Sequence, residues 1–256
     1  DAYNTAVGYA AGLTMTTGVQ NVLMGGLAGD ALTTGSDNVA LGYAALSAED
    51  TGGRSIAIGR AALLSQNNNS NNYNVAVGYN AGLNVSTGIQ NIAIGGLSMD
   101  ALTTGSSNVA IGYASMGSAN GSEGRNTAIG HQALFAMDAD GNNYNTAVGY
   151  NAGAEITSGV QNTIIGSLAG DAMTIGNFNV ALGVNALSTS VDGDNNTAIG
   201  FAALEDYEDG DGNGNNTAVG AKSQTNATTG ENNTSLGSHA FGVGVLTGDN
   251  NVAIGN

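Results

Sequence analysis

The chain of 256 residues has no cysteine, no proline and no tryptophan. The missing cysteine excludes disulfides and thiolate metal sites. The missing proline, with glycine not at every third position, excludes collagen. Basic residues are nearly as scarce: 4 Lys+Arg stand against 20 Asp+Glu, a formal net charge of −16. Four cations can neutralise few phosphates, so no nucleic-acid partner is expected. An acidic surface is also repelled by anionic lipid. No apolar run approaches the ~20 residues of a membrane span, so this segment is not expected to insert directly into a membrane.

Charge of either sign is low as well. Only 9% of residues are charged and 5% aromatic, yet 41% are hydrophobic. The chain has enough apolar content to order itself, mostly as small and branched aliphatic side chains beside 42 glycines. Such a composition suits tight turns and short strands.

What is present is a repeat. The motif reads Asn, β-branched residue, small residue, aliphatic, Gly. It opens at Asn4-Thr5-Ala6-Val7-Gly8 and closes at Asn251-Val252-Ala253-Ile254-Gly255, with fifteen copies mostly 17 residues apart. A longer period lies above it: Gly8 to Gly78 is 70 residues, and Gly78 to Gly149 and Gly149 to Gly220 are 71 each. The chain therefore reads as one continuous repeat domain, residues 1–256, built of four-coil blocks. The longer steps carry polar inserts at Gln66 to Tyr73, Asp138 to Tyr144 and Glu205 to Asn215.

The columns have physical content. Before every closing glycine stands Val, Leu, Ile or Met, and two places earlier Val, Ile or Thr. These two positions share one face of a strand, and the residue between them, Ala in twelve copies, takes the other. β-Branching in an unbroken column argues strand over helix. A second turn signal, usually Gly, stands seven residues before most closing glycines. Strand, corner, strand, corner at a near-constant period predicts an all-β parallel solenoid of about 15 coils. The aliphatic column, Ile58, Ile94, Ile111, Ile129, Ile165 and Ile199, is expected to be the core of one chain. The alanine column is expected to face outward, where its lack of Lys, Glu or Gln implies that a neighbouring chain covers it.

These columns resemble the head repeats of trimeric autotransporter adhesins, which carry an Asn-Ser-Val-Ala-Ile-Gly-like motif. Asn108-Val109-Ala110-Ile111-Gly112 and Asn126-Thr127-Ala128-Ile129-Gly130 are similar to it. The run Asn145 to Ala152 also resembles repeats of bacteriophage tail fibres. The coils here are somewhat longer than those common in adhesin heads. The resemblance implies a left-handed β-roll, a homotrimer, and attachment to a host or surface glycan or protein, outside the cell, at a cell surface or on a virion. A purely structural filament without its own receptor is the alternative. Asp1-Ala2-Tyr3-Asn4 enters mid-pattern and the chain stops just after Gly255, as expected of a piece of a longer fibre.

Catalytic signals are few, and no enzyme activity is expected. His131 and His239 lie in a column otherwise held by Tyr, Gly, Ser or Phe and read as surface variation. The insert Asp209-Gly210-Asp211-Gly212-Asn213 alternates oxygen ligands with glycine, which makes Asp209, Asp211 and Asn213 candidate calcium ligands. Asp138–Asp140 and Asp192–Asp194 are shorter versions. All three also suit plain turns, so no cofactor is required. Thr17, Thr34 and Thr51, and Thr87 and Thr104, form partial ladders that raise an ice-binding reading, but the column lapses at Ser158 and Ile175. Any specific contact is expected on the inserts.

Overall fold

A three-residue β-branched segment flanked by Asn and Gly can pair only with its own copies one period away. The computed structural model, which describes residues 2–207, 214–242 and 247–256, shows this pairing. The protein is an all-β parallel solenoid of about fourteen turns, about 17 residues apart, with no helix among the described residues.

Two compact units are present, Asp1–Asn126 with Asp140–Asn142, and Thr127–Ala139 with Asn143–Asn256. The first carries β1 (Thr5–Val7), β2 (Val22–Met24), β3 (Val39–Leu41), β4 (Ile56–Ile58), β5 (Val75–Val77), β6 (Ile92–Ile94) and β7 (Val109–Ile111). The second carries β8 (Thr127–Ile129), β9 (Thr146–Val148), β10 (Thr163–Ile165), β11 (Val180–Leu182), β12 (Thr197–Ile199), β13 (Thr217–Val219), β14 (Thr234–Leu236) and β15 (Val252–Ile254). Within each unit every strand pairs in parallel with the next, position for position, as in Val22↔Val39, Leu23↔Ala40 and Met24↔Leu41. Longer steps keep this register: Ile56 pairs with Val75 and Thr197 with Thr217. The extra residues leave the ladder unshifted.

The two strand faces are the reverse of the sequence expectation. From β2 to β14 the middle residue is buried, and its two neighbours are half-buried or exposed. Ala40, Ala57, Ala76, Ala110, Ala128, Ala147, Ala181, Ala198 and Ala218 have no exposed surface. Ile94 is 37% exposed and Ile129 36%, while Ile58, Ile111, Ile165 and Ile199 are half-buried. The reason is width. A coil this short has little room for large side chains from both walls: the strand supplies one only at Leu23 and Ile164, which pack against Gly29 and Gly170. The other larger core residues come mostly from the opposite wall, among them Leu32, Leu46, Leu63, Leu102, Leu134, Ile156, Met173 and Leu187.

That wall is not a second strand, which corrects a further expectation. Each coil holds one short strand, and the rest is turn. Its backbone is left-handed at the second and fourth residues past the closing glycine, as at Ala44 (φ 55) and Leu46 (φ 54). Such φ values are unfavourable for residues with a Cβ. Here they turn alternate peptides along the stacking direction. Ala44 N–H donates to Gly26 O (2.9 Å) and Leu46 N–H to Ala62 O (3.0 Å), one bond toward each neighbouring coil. The wall is thus paired like a ladder without being a strand. Where the fourth residue is glycine, the space is filled from three residues on: a Cβ on Gly153 would lie 2.8 Å from Ile156 Cδ1.

The closing glycines stack too tightly for any other residue. At Gly42 (φ 142) an added Cβ would run into the carbonyl of Gly59.

The asparagine that opens each motif joins successive coils from inside. Asn91 Oδ1 accepts the backbone N–H of Asn108 (3.0 Å), and its Nδ2 donates to Gly105 O (2.8 Å). In the second unit Asn162 Oδ1 accepts from Asn179 N–H (2.9 Å) and its Nδ2 donates to Gly176 O (2.8 Å). Both partners of each amide lie in the next coil, at its corner and at its strand entry. Asn21, Asn38, Asn108, Asn145, Asn179 and Asn216 are fully buried.

Replacing one of these amides should strand two buried backbone groups. Asn91→Ala is expected to lower stability by about 2–5 kcal/mol, measured by urea unfolding. Asn84→Ala, which removes an exposed bond to Asp100 O, should change it by less than about 1 kcal/mol. Equal effects would remove the buried ladder from its structural role.

Candidate functional surface

Putting alanine inside leaves the aliphatic columns outside. Val22, Met24, Ile56, Ile94, Ile129, Leu182 and Leu236 are among the exposed large hydrophobic residues, at 36–51%. No strand contains a charged residue. The first unit therefore presents a strip that is two apolar columns wide from β2 to β7, and the second an aliphatic column beside one that is mostly threonine (Thr127, Thr146, Thr163, Thr197, Thr217 and Thr234), each continued from coil to coil by the parallel register. At ~3.3 Å per residue and ~4.8 Å per coil, the strip covers roughly 300 Å² on each unit. A patch of that size matches the largest found on ordinary monomers, which mark interaction sites.

Beside the strip, exposed aromatic side chains stand immediately past several of the closing glycines: Tyr9, Tyr43, Tyr79 and Tyr113 in the first unit, Tyr150 and Phe201 in the second. The basic residues gather on such rings. The Arg60 guanidinium lies 5.9 Å from the Tyr43 ring centre and 5.6 Å from that of Tyr79. Arg54 sits 5.6 Å from the Tyr73 ring, and Lys222 lies 6.0 Å from Phe201. His131 stacks on Tyr150, centres 5.2 Å apart and planes at 20°. These contacts tie cations to aromatic faces and leave His131 as part of the aromatic column. His239 hydrogen-bonds Ser238 through Nδ1 (2.9 Å).

The candidate calcium ligands Asp209, Asp211 and Asn213 lie outside the described residues. The two shorter acidic turns are described, and one carboxylate in each, Asp140 and Asp194, makes coil-to-coil bonds. Asp140 Oδ1 accepts from Ser122 N–H and Oγ–H, each at 3.0 Å. These bonds, the backbone one first, hold the Asp140 carboxyl below its ordinary range. Asp194 Oδ1 accepts from Asn177 N–H (2.6 Å) and Nδ2 (3.1 Å). No group of three or more His, Asp or Glu placed to hold a metal occurs among the described residues. No helix of the described residues is long and apolar enough to cross a membrane.

The insert from Gln66 to Tyr73 is partly core. Gln66 and Asn72 are fully buried, while Asn67 and Asn69–Asn71 are exposed. The cause is a lapse in the asparagine ladder at Ser55. Gln66 fills the gap: its Nε2 donates to Ser55 Oγ (2.9 Å) and Glu49 Oε2 (3.0 Å), and its Oε1 accepts from Asn74 Nδ2 (2.8 Å). Glu49 also accepts from Gly52 N–H (2.7 Å) and Asn72 Nδ2 (2.9 Å). Burial of this carboxyl pushes its pKa above the ordinary 4.5, against the opposing pull of its donors.

Neither a family model nor a curated protein sequence matches this chain. The surface must be interpreted from its own geometry.

The raised Glu49 pKa sets a sign for pH dependence. Ionising this acid is harder in the folded than in the unfolded chain. Its contribution to stability is therefore fully present below about pH 4.5 and falls as pH rises through the folded pKa. Urea unfolding of the native protein and Glu49→Gln should show the native's relative stability decreasing between pH 4 and pH 7. A difference that grows with pH would contradict the burial cause.

Proposed function

We propose that the protein is a non-enzymatic, rigid segment of an extracellular attachment fibre, assembled as a homotrimer through the outward aliphatic strips. The observation that carries this reading is the reversal of the strand faces. Most coils fill the inner face of the strand with alanine and still present uncharged aliphatic side chains to the outside.

A second copy of the chain is the occupant that fits best. It carries the same apolar columns at the same coil spacing, and its strands likewise bring no charge to the contact. The acidic residues responsible for the net charge of −16 lie off the strands. The resemblance to adhesin heads supplies the number three and the role in attachment. A self-paired β-scaffold of this kind holds recognition residues at fixed spacing and needs no catalytic group. Attachment then depends on many weak sites acting together.

Light scattering at micromolar concentration should give three times the 25.1 kDa chain mass. Ile94→Lys with Ile111→Lys should shift the mass toward one chain while the β circular dichroism persists, because a charge buried at the contact has no partner. A native monomer with intact β signal would refute the assembly.

A further inference from the structure

We propose that the tyrosine column of the first unit is a binding platform for an extended, uncharged polysaccharide, a proposal that rests on the attachment-fibre reading above. The position after each closing glycine reads Tyr9, Gly26, Tyr43, Arg60, Tyr79, Gly96, Tyr113. A tyrosine therefore recurs at every second coil. The backbone fixes the step: Ala44 N–H donates to Gly26 O, Ala61 N–H to Tyr43 O, Asn80 N–H to Arg60 O and Leu97 N–H to Tyr79 O, at 2.9–3.0 Å. Two coils are ~9.6 Å, about the length of two pyranose residues in an extended chain.

The three interior rings also share one setting. Tyr43, Tyr79 and Tyr113 are 54%, 53% and 53% exposed. Tyr43 leans over Gly26 and Tyr113 over Gly96, where an added Cβ would stand 3.5 and 3.7 Å from the nearest ring carbon. The intervening glycines keep the gaps between tyrosines clear. In the remaining gap, Arg60 lies between Tyr43 and Tyr79 and brings N–H donors to the same line.

Charge and shape select the ligand. The net charge of −16 repels a polyanion, which removes acidic glycans and nucleic acids. Evenly spaced, half-exposed rings form a ridge that suits a polymer with its own regular repeat. The electron-rich ring faces take the C–H face of a neutral sugar, and the tyrosine hydroxyls and Arg60 can bond its hydroxyl groups. A proline-rich peptide has a similar repeat but docks into aromatic-lined grooves and needs fewer donors.

The test is affinity electrophoresis of the full chain in gels containing hydroxyethyl cellulose, with calorimetric titration of cellohexaose and chitohexaose. The native protein should be retarded and should bind at least one of the two oligosaccharides. Tyr43→Ala with Tyr79→Ala and Tyr113→Ala should weaken binding by about tenfold or more, whereas the corresponding triple Phe variant should stay within about threefold of native, since stacking is kept. The light-scattering mass of both variants should equal the native mass. The proposal is overturned if the native protein neither shifts in the gel nor binds either oligosaccharide, or if the Ala variant binds as well as native. It is also overturned if the Ala variant loses its assembled mass, which would place these rings against another copy, or if a polyproline peptide binds and both glycans do not. A native monomer that still binds glycan sinks the assembly reading alone; an intact trimer that binds neither sinks only this proposal.

Discussion

The buried asparagine ladder is the interaction on which the rest of the structure depends. A typical amide such as Asn91 makes two bonds to the next coil, one at its corner and one at its strand entry; at Asn108 the corner carbonyl is that of Glu123, and among the described residues Asn196 keeps the strand-entry bond alone. The corner and strand-entry groups would otherwise be unpaired inside the protein, where neither water nor a longer strand could satisfy them. With both ends of the strand held one coil apart, the coil cannot widen. The interior beside the strand then accepts alanine, or a larger residue only where the opposite wall is glycine, as at Leu23 and Ile164, and the residues on either side of it turn outward. The apolar strip is thus a consequence of the narrow coil.

The exception at Ser55 shows how strict the requirement is. A serine cannot span the distance that asparagine spans, and a buried Gln66, Glu49 and Asn72 cluster takes over. Part of an insert is drawn into the core to do so, and a carboxyl is buried with it. The register of the ladder is unchanged across this insert and across the one after Glu205, although each insert gives the core a residue, Asn143 and Tyr207 among them.

Much of the fold was legible in the sequence. The period, the strand in each motif, the stacking glycines and the tolerance of longer steps could all be read from columns. The inward face could not, because alternation separates two faces without saying which is inside. Ranking Ile58 and Ile111 as core by hydrophobicity ignored the volume of a short coil. The second wall was misread for a different reason: its left-handed residues are often Ala and Leu, which carry no turn signal, and only their alternating cross-coil bonds show the conformation. Asparagine was visible as the first letter of the motif, but its buried amide bonds needed coordinates. The tyrosine column was visible at two-coil spacing, yet it reads as surface variation until the coils are stacked.

The most direct test of this account is native-state hydrogen exchange of the full chain, resolved to single amides. The backbone N–H groups of Asn38, Asn91, Asn108, Asn162 and Asn179 each donate to the preceding amide of the ladder. They should fall in the slowest class and exchange only as fast as global unfolding allows. If they exchange as quickly as the exposed turn amides while the strand amides stay protected, the coils are held together by something other than the asparagine ladder.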